Sequence, residues 1–190
     1  AHTAPMAFSV IEASTQYALT CSAPGCTGTL NAGEMITVSV TFTPTSTGVK
    51  MDNITVATAT DPDEPTTLVM LTGTGTEPAV TVETPQPLAI GDVDVNTVSA
   101  PGTITLRNSG TADLNITAVA LVGGDAAQFT IASGGTGVQT LASGAGVNTR
   151  SWTVTCRPTS IGAKTTTFRV THDAPAAGTQ TNITVNCTGR

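Results

Sequence analysis

Apolar and polar residues alternate along several short segments of the chain. In residues 36–42 every second side chain is apolar with a polar one between, and residues 152–156 and 183–187 alternate in the same way. A period of two is that of a β-strand with one buried face, because successive side chains point to opposite faces. Pro-Thr-Ser-x-Gly follows two of these segments, at 44–48 and 158–162, and predicts a turn at each place. The pattern predicts an all-β protein built from short strands.

Three of these segments recur in the same order. The first copies lie at 36–50, 66–73 and Ala4–Val10, and the second copies at 152–164, 182–189 and Asp125–Ile131. Self-similarity of order and spacing indicates a tandem repeat. We therefore predict two modules, 1–77 and 78–190, with a short polar joint between them. Short strands at regular spacing, separated by Gly, Pro and Asn turns, are typical of an immunoglobulin-like β-sandwich.

The first module is shorter than the second on its amino-terminal side. About 45 residues, Val80–Gly124, precede the Asp125–Ile131 block, whereas only Ala1–Thr3 precede the matching Ala4–Val10 block. We therefore expect the first sandwich to be incomplete at its N-terminus, by about three strands. Three outcomes are open. The polypeptide continues upstream, another subunit donates the strands, or the module closes as a reduced sandwich.

An ordered set of motifs carries a resemblance to a known family. In the second module the motifs lie at 103–116, 124–131, 141–144 and 154–162, and in the first at 42–48, 61–67 and 71–75. Together they resemble the ASH (Hydin-like) domains of bacterial choice-of-anchor D surface proteins, which are related to major sperm protein. The resemblance implies a binding or scaffolding sandwich with no shared active site. The chain departs from the family in its missing opening strands and in two cysteines at core positions that are usually apolar.

The four cysteines predict two disulfides. Cys21 and Cys26 flank a Pro-Gly turn, and a disulfide there is favoured over a metal site because zinc needs four ligands. Cys156 and Cys187 both point inward by alternation, and we expect a disulfide across the core of the second module. Their expected counterparts in the first module are Phe42 and Leu71, an apolar pair. Disulfides place the protein outside a reducing cytosol, at an extracellular, periplasmic or cell-surface location.

Composition and charge narrow the classes of partner. Only 11% of the residues are charged, and the net charge is −6 with a pI of about 4.6. No Lys/Arg cluster is present to neutralise phosphates, which argues against nucleic acid and against an anionic membrane surface. No apolar run has the length of a membrane-spanning helix, so we expect no membrane insertion.

Candidate chemistry in the sequence is sparse. His172 stands beside Asp173 in a strand, where neighbouring side chains point to opposite faces, so a catalytic triad is disfavoured. Asp61, Asp63 and Glu64 are weak calcium candidates, since Ca²⁺ takes six to eight oxygen ligands and the run reads more simply as a hairpin turn. We expect no enzyme activity, no cofactor and no bound metal.

Two functions remain. The first is a structural or adhesive module of an extracytoplasmic assembly, acting as a rigid spacer or as a self-associating, filament-forming subunit. Strand addition through the incomplete first module, or another protein contact, would then join the subunits. The alternative is a domain that binds a carbohydrate or a protein ligand. With one Trp and one Tyr in the chain, the aromatic platform typical of a sugar site is not evident.

Overall fold

The computed structural model describes residues 5–11, 14–58, 63, 65–144 and 148–190. The chain divides into two compact units, Ala1–Thr76 (unit 1) and Glu77–Arg190 (unit 2). Regular structure in the described residues is β apart from two short 3₁₀ turns, which confirms the all-β sandwich class. Among these residues, no helix is long and apolar enough to cross a bilayer.

The described part of unit 1 contains six strands. These are β1 (Met6–Ile11), β2 (Tyr17–Cys21), β3 (Thr27–Leu30), β4 (Val38–Phe42), β5 (Gly48–Thr58) and β6 (Thr66–Gly75). One sheet has the order β3-β1-β5-β6 with antiparallel neighbours, and the other is the antiparallel pair β2-β4. The two sheets meet at a small core around Phe8, Val10 and Ile54. The described part of unit 1 is therefore a small sandwich of a four-stranded and a two-stranded sheet.

Nine strands lie in the residues of unit 2 that the structure describes. These are β7 (Val80–Val82), β8 (Leu88–Val93), β9 (Gly102–Asn108), β10 (Leu114–Val122), β11 (Phe129–Ser133), β12 (Gln139–Leu141), β13 (Thr149–Cys156), β14 (Gly162–His172) and β15 (Gln180–Gly189). One sheet has the order β12-β10-β14-β15-β8, in which β8 runs parallel to β15, and the other has the order β11-β13-β9-β7. Trp152 and Phe168 are fully buried between the sheets, with ring centroids 5.6 Å apart.

Each unit contains one long hairpin, β5-β6 in unit 1 and β14-β15 in unit 2. Paired glycines at the end of each hairpin show which strands of the two units correspond. Gly48 pairs with Gly75 in unit 1, and Gly162 pairs with Gly189 in unit 2. Gly75 and Gly189 each lie against the carbonyl of the serine in the Pro-Thr-Ser turn, where a Cβ would collide with it. Hence β5 corresponds to β14 and β6 to β15.

A shared hydrogen bond extends the correspondence to the other sheet. The Thr43 N–H donates to the Gln16 carbonyl (2.8 Å), and the Arg157 N–H donates to the Gln128 carbonyl (2.7 Å). Thus β2 corresponds to β11 and β4 to β13. The sheet orders then match β1 with β10 and β3 with β12, so unit 1 has no counterpart of β7, β8 and β9 in the described part of the chain.

Two details of the sequence alignment are corrected by this topology. The match of Ala4–Val10 with Asp125–Ile131 is wrong, because Met6–Ile11 takes the position of β10 beside the long hairpin. The match of 66–73 with 182–189 is wrong by two residues, because the ladder aligns Gly75, and not the glycine at 73, with the last glycine of β15.

Both sequence-predicted disulfides are formed. Cys156 on β13 is bonded to Cys187 on β15, with Cα atoms 6.6 Å apart, so the bridge links the two sheets of unit 2. The two-residue shift makes Gly73, and not Leu71, the counterpart of Cys187. In unit 1 the Phe42 ring lies directly over Gly73, so an aromatic ring over a glycine takes the place of the bridge.

The second disulfide is local. Cys21 ends β2 and Cys26 ends the 3₁₀ turn Pro24–Cys26, with the two Cα atoms 5.2 Å apart. Gly25 sits between them with φ +66°, a conformation that glycine adopts without strain. The bridge therefore staples the connection from β2 to β3.

Candidate interaction surface

The sequence-predicted calcium residues do not form a described site. Asp61 and Glu64 lie outside the described residues, and Asp63 is an exposed residue of the same connection. Within the described residues, no group of three or more His, Cys, Asp or Glu side chains is arranged to hold a metal ion.

His172 has a structural environment. Its Nδ1 accepts a hydrogen bond from the Ala174 N–H (3.2 Å), so in the neutral ring Nε2 carries the proton and donates it to Thr181 Oγ1 (2.8 Å). Burial lowers the pKa of His172, and the nearby Asp173 carboxylate opposes this shift. Both ring nitrogens are thus occupied in holding the turn between β14 and β15.

The aromatic side chains offer no platform for a sugar ring. Trp152 and Tyr17 are 0% and 4% exposed, and Phe42 is the only one of the chain's six aromatic residues that is partly exposed. Phe42 is stacked on Tyr17 with ring centroids 4.8 Å apart. The faces on which a sugar would stack are therefore covered by protein.

A more distinctive feature is the free edge of unit 1. Strand β6 is the last strand of its sheet and pairs only with β5 among the described strands. Its counterpart β15 pairs with β14 on one side and with the parallel strand β8 on the other. Strand β6 is ten residues long, and its sequence, TTLVMLTGTG, contains no charge and no proline. Natural edge strands usually carry such residues, which block further pairing.

The inner face of unit 1 is uncovered near this edge. Val69 on β6 is 45% exposed, whereas its counterpart Ile183 is fully buried. Val40 on β4 is 40% exposed, whereas its counterpart Val154 is fully buried. In unit 2 the sheet that contains β9, together with β8, covers this part of the core. The exposed inner residues therefore lie where the three absent strands would pack.

The outer face of the same sheet is also apolar. Leu68 and Met70 of β6 are 62% and 70% exposed, and Met51 of β5 is 68% exposed. The counterparts of Leu68 and Met70 in unit 2 are Asn182 and Thr184, both polar. Ile11 and Val49 extend the patch along β1 and β5. A strand that is apolar on both faces is typical of a position covered from both sides.

We define the assembly face by these features. It comprises the free edge of β6, the inner residues Val40 and Val69, and the outer residues Leu68, Met70 and Met51. The length of the first module predicts that it is incomplete, whereas its apolar outer face was not predicted. The signal was present in Leu68-Val-Met-Leu71, four consecutive apolar residues that place apolar side chains on both faces of a strand.

Comparisons with known proteins give distant structural likenesses. No family model and no curated protein matches the sequence. A protein of unknown function from Porphyromonas gingivalis is 14% identical, with 97% of this chain and 84% of that chain covered at a TM-score of 0.47. An ASH/PapD-like domain of human CEP192 is 13% identical, with 58% and 83% covered at a TM-score of 0.37. A Caenorhabditis elegans member of the MSP family is 10% identical, with 58% and 97% covered at a TM-score of 0.36.

Proposed function

We propose that the chain is a non-catalytic structural module of an extracytoplasmic or cell-surface assembly, which self-associates through unit 1. Unit 2 serves as a stapled spacer of the ASH-like type. The observation that carries the proposal is that β6 is apolar on both faces at a free edge, whereas its counterpart β15 is paired on both sides and polar outside.

The physical basis is the free energy of covering apolar surface. Exposed contiguous apolar patches on soluble proteins mark contacts with other proteins. Fully burying one large aliphatic side chain is worth about 1.5–3 kcal/mol. Leu68, Met70 and Met51, each more than 60% exposed, supply a patch that a second copy can cover with its own equivalent patch. The two disulfides support an oxidising compartment.

Electrostatics oppose this contact. The sequence of unit 1 contains one lysine and six acidic residues, so two copies repel one another. Screening by salt weakens repulsion between surface charges. We therefore expect association to be weak at low ionic strength and stronger at high ionic strength, the behaviour of an apolar contact between like-charged bodies.

The test replaces the outer apolar residues with their counterparts from unit 2. Leu68→Asn with Met70→Thr removes two apolar contacts per copy and should weaken self-association by about 100-fold or more, measured by sedimentation over a concentration series. The control is Val138→Thr with Ile161→Thr, two residues of unit 2 that are each 78% exposed. This control should associate like the parent chain.

Two results would contradict the proposal. One is a parent chain that stays monomeric at high salt and high concentration. The other is association that persists unchanged in the Leu68→Asn, Met70→Thr chain. A glycan array run on the same samples addresses the carbohydrate-binding alternative, and selective glycan binding would replace the structural proposal.

A further inference from the structure

We infer that the open side of unit 1 is an acceptor groove for a polypeptide segment from another molecule. The donated segment has the chemistry of residues 78–108, and one of its strands runs parallel to β6. The inference rests on the proposed assembly role of unit 1. It concerns the edge and inner part of the assembly face, which the outer-face contact leaves open.

Unit 2 provides the template for the parallel strand. There β8 pairs with β15 in a register that places Ala89 opposite Asn186 and Asp92 opposite Thr188. When Gly75 is aligned with Gly189, Thr72 is the counterpart of Asn186 and Thr74 is the counterpart of Thr188. An Ala89-like residue of the donor should therefore lie beside Thr72 and an Asp92-like residue beside Thr74.

The same segment would cover the inner face. In unit 2 the antiparallel strand β9 pairs with β13, and Leu88 and Ile90 of β8 pack over Gly102 of β9. The two strands thus meet each other between the sheets. In unit 1 the equivalent strands would lie over Val40 and Val69, the inner residues that are now exposed. One segment with both strands accounts for the free edge and for the uncovered core together.

Within the described residues, each strand of this chemistry is already paired, so the donated segment comes from outside them. Residues 80–82 pair with β9, residues 88–93 pair with β15, and residues 102–108 pair with β13. A second copy of this chain holds its own segment in the same way, so donating it would open unit 2 of that copy. The acceptor groove therefore takes a strand pair whose alternating apolar residues are not yet buried elsewhere.

The probe is a synthetic peptide of residues 78–108, added to the full chain. All four native cysteines are in disulfides, so one introduced cysteine is the sole free thiol. Thr72→Cys and Thr74→Cys place that thiol at exposed positions of β6. Peptides with Ala89→Cys or Asp92→Cys carry the second thiol.

The register predicts which pairs form a disulfide under mild oxidation. Thr72→Cys should link to the Ala89→Cys peptide and Thr74→Cys to the Asp92→Cys peptide, while the two crossed combinations should give little product. A peptide with Ser in place of Leu88, Ile90, Ile104 and Leu106 is the control and should not link. Uniform linking of all combinations, or none, would overturn the inference.

A tethered arm separates the two possible sources of the segment. Residues 78–108 are fused ahead of Ala1 through a five-residue linker, the length of the loop between β9 and β10. If only the fused segment protects the amides of β4 and β6 from exchange, and the free peptide neither links nor protects, donation by a separate molecule is wrong.

The Leu68→Asn, Met70→Thr chain distinguishes this inference from the proposed function. Its outer face no longer supports self-association, but its edge and inner face are unchanged, so peptide linking through Thr74→Cys should persist. If the parent chain links to the peptide but does not self-associate, the proposed outer-face contact is wrong and the acceptor groove is supported. If the parent chain self-associates but does not link to the peptide, the acceptor groove is wrong and the outer-face contact is supported.

Discussion

At the same place in the two units, different residues join the two sheets. Unit 2 uses the Cys156–Cys187 disulfide, and unit 1 uses the Phe42 ring over Gly73. The disulfide acts on the unfolded chain, whose entropy it lowers, whereas the ring stabilises the folded state through contact alone. The disulfide still joins the two strands when the sheets of unit 2 separate, whereas the contact between Phe42 and Gly73 is lost when the sheets of unit 1 separate.

Removing the central bridge should cost unit 2 a large part of its stability. The cysteines are 31 residues apart, and closure of such a loop is worth about 3–4 kcal/mol in the chain-entropy model. We expect that loss for Cys156→Ala with Cys187→Ala, measured by urea unfolding with the fluorescence of buried Trp152. Cys21→Ala with Cys26→Ala, whose loop is worth about 2 kcal/mol, is the control because it lies in unit 1. An unchanged Trp152 transition after loss of the central bridge would contradict this.

His172 should make unit 2 less stable in mild acid. Its folded pKa lies below the ordinary value of 6.5, so below that pH the unfolded chain binds more protons than the folded one. Stability therefore falls as the pH is lowered from about 6.5 towards the folded pKa. Urea unfolding of unit 2 at several pH values should show this slope, and His172→Gln should flatten it. If the unfolding free energy of the His172→Gln variant depends on pH as steeply as that of the parent, other titratable groups cause the dependence.

At the scale of strands, the close packing of β4 on β6 depends on the absence of a side chain at residue 73. A Cβ built there lies 2.6–2.8 Å from three atoms of the Phe42 ring. That ring cannot swing away freely, because it is stacked on Tyr17 at 4.8 Å. A side chain at residue 73 would therefore collide with the Phe42 ring.

Gly73→Ala should therefore destabilise unit 1. Overpacking of this kind costs about 1–3 kcal/mol, and we expect faster amide exchange in β4 and β6 by about that free energy. Gly137→Ala is the control, because a Cβ there meets nothing within 4 Å. A second variant, Gly73→Ala with Phe42→Leu, should recover part of the loss. Equal amide exchange rates in the Gly73→Ala variant and in the parent would show that the structure accommodates the added methyl group without loss of stability.

The strands were predictable from the sequence, but their registration was not. Alternation shows which residues share a face, and it identified the inward position of Cys156 and Cys187 correctly. A shift of two residues preserves every face, so alternation cannot distinguish Leu71 from Gly73 as the counterpart of Cys187. Only the pairing of β5 with β6, in which Gly48 lies opposite Gly75, identifies the counterpart of Cys187. That pairing joins residues that are distant in sequence.

At the scale of the whole chain, the two units differ in how much core they contain. In the described residues, the core cluster of unit 2 has seventeen buried members, and that of unit 1 has three. The sequence indicated an incomplete first module from the length before its first matched block. The run of apolar residues at 68–71 indicates that both faces of β6 are apolar, but only the position of the second sheet shows which of them is the outer face.

The two units should accordingly behave differently when they are produced separately. Residues 77–190 contain the larger core and the central disulfide, and should unfold cooperatively with a free energy on the order of 5–15 kcal/mol. In the described part of residues 1–76 the core cluster has three buried members, and Val40 and Val69 are exposed, so the hydrophobic gain offsets little of the chain entropy. We expect this fragment to show either no cooperative urea transition or a concentration-dependent one, followed by far-ultraviolet circular dichroism. Adding the peptide of residues 78–108 should restore a cooperative transition, because it supplies the missing apolar cover. If residues 1–76 alone unfold as cooperatively as residues 77–190, unit 1 is stable without the three absent strands. The proposal that it binds a donated segment would then lose its energetic basis.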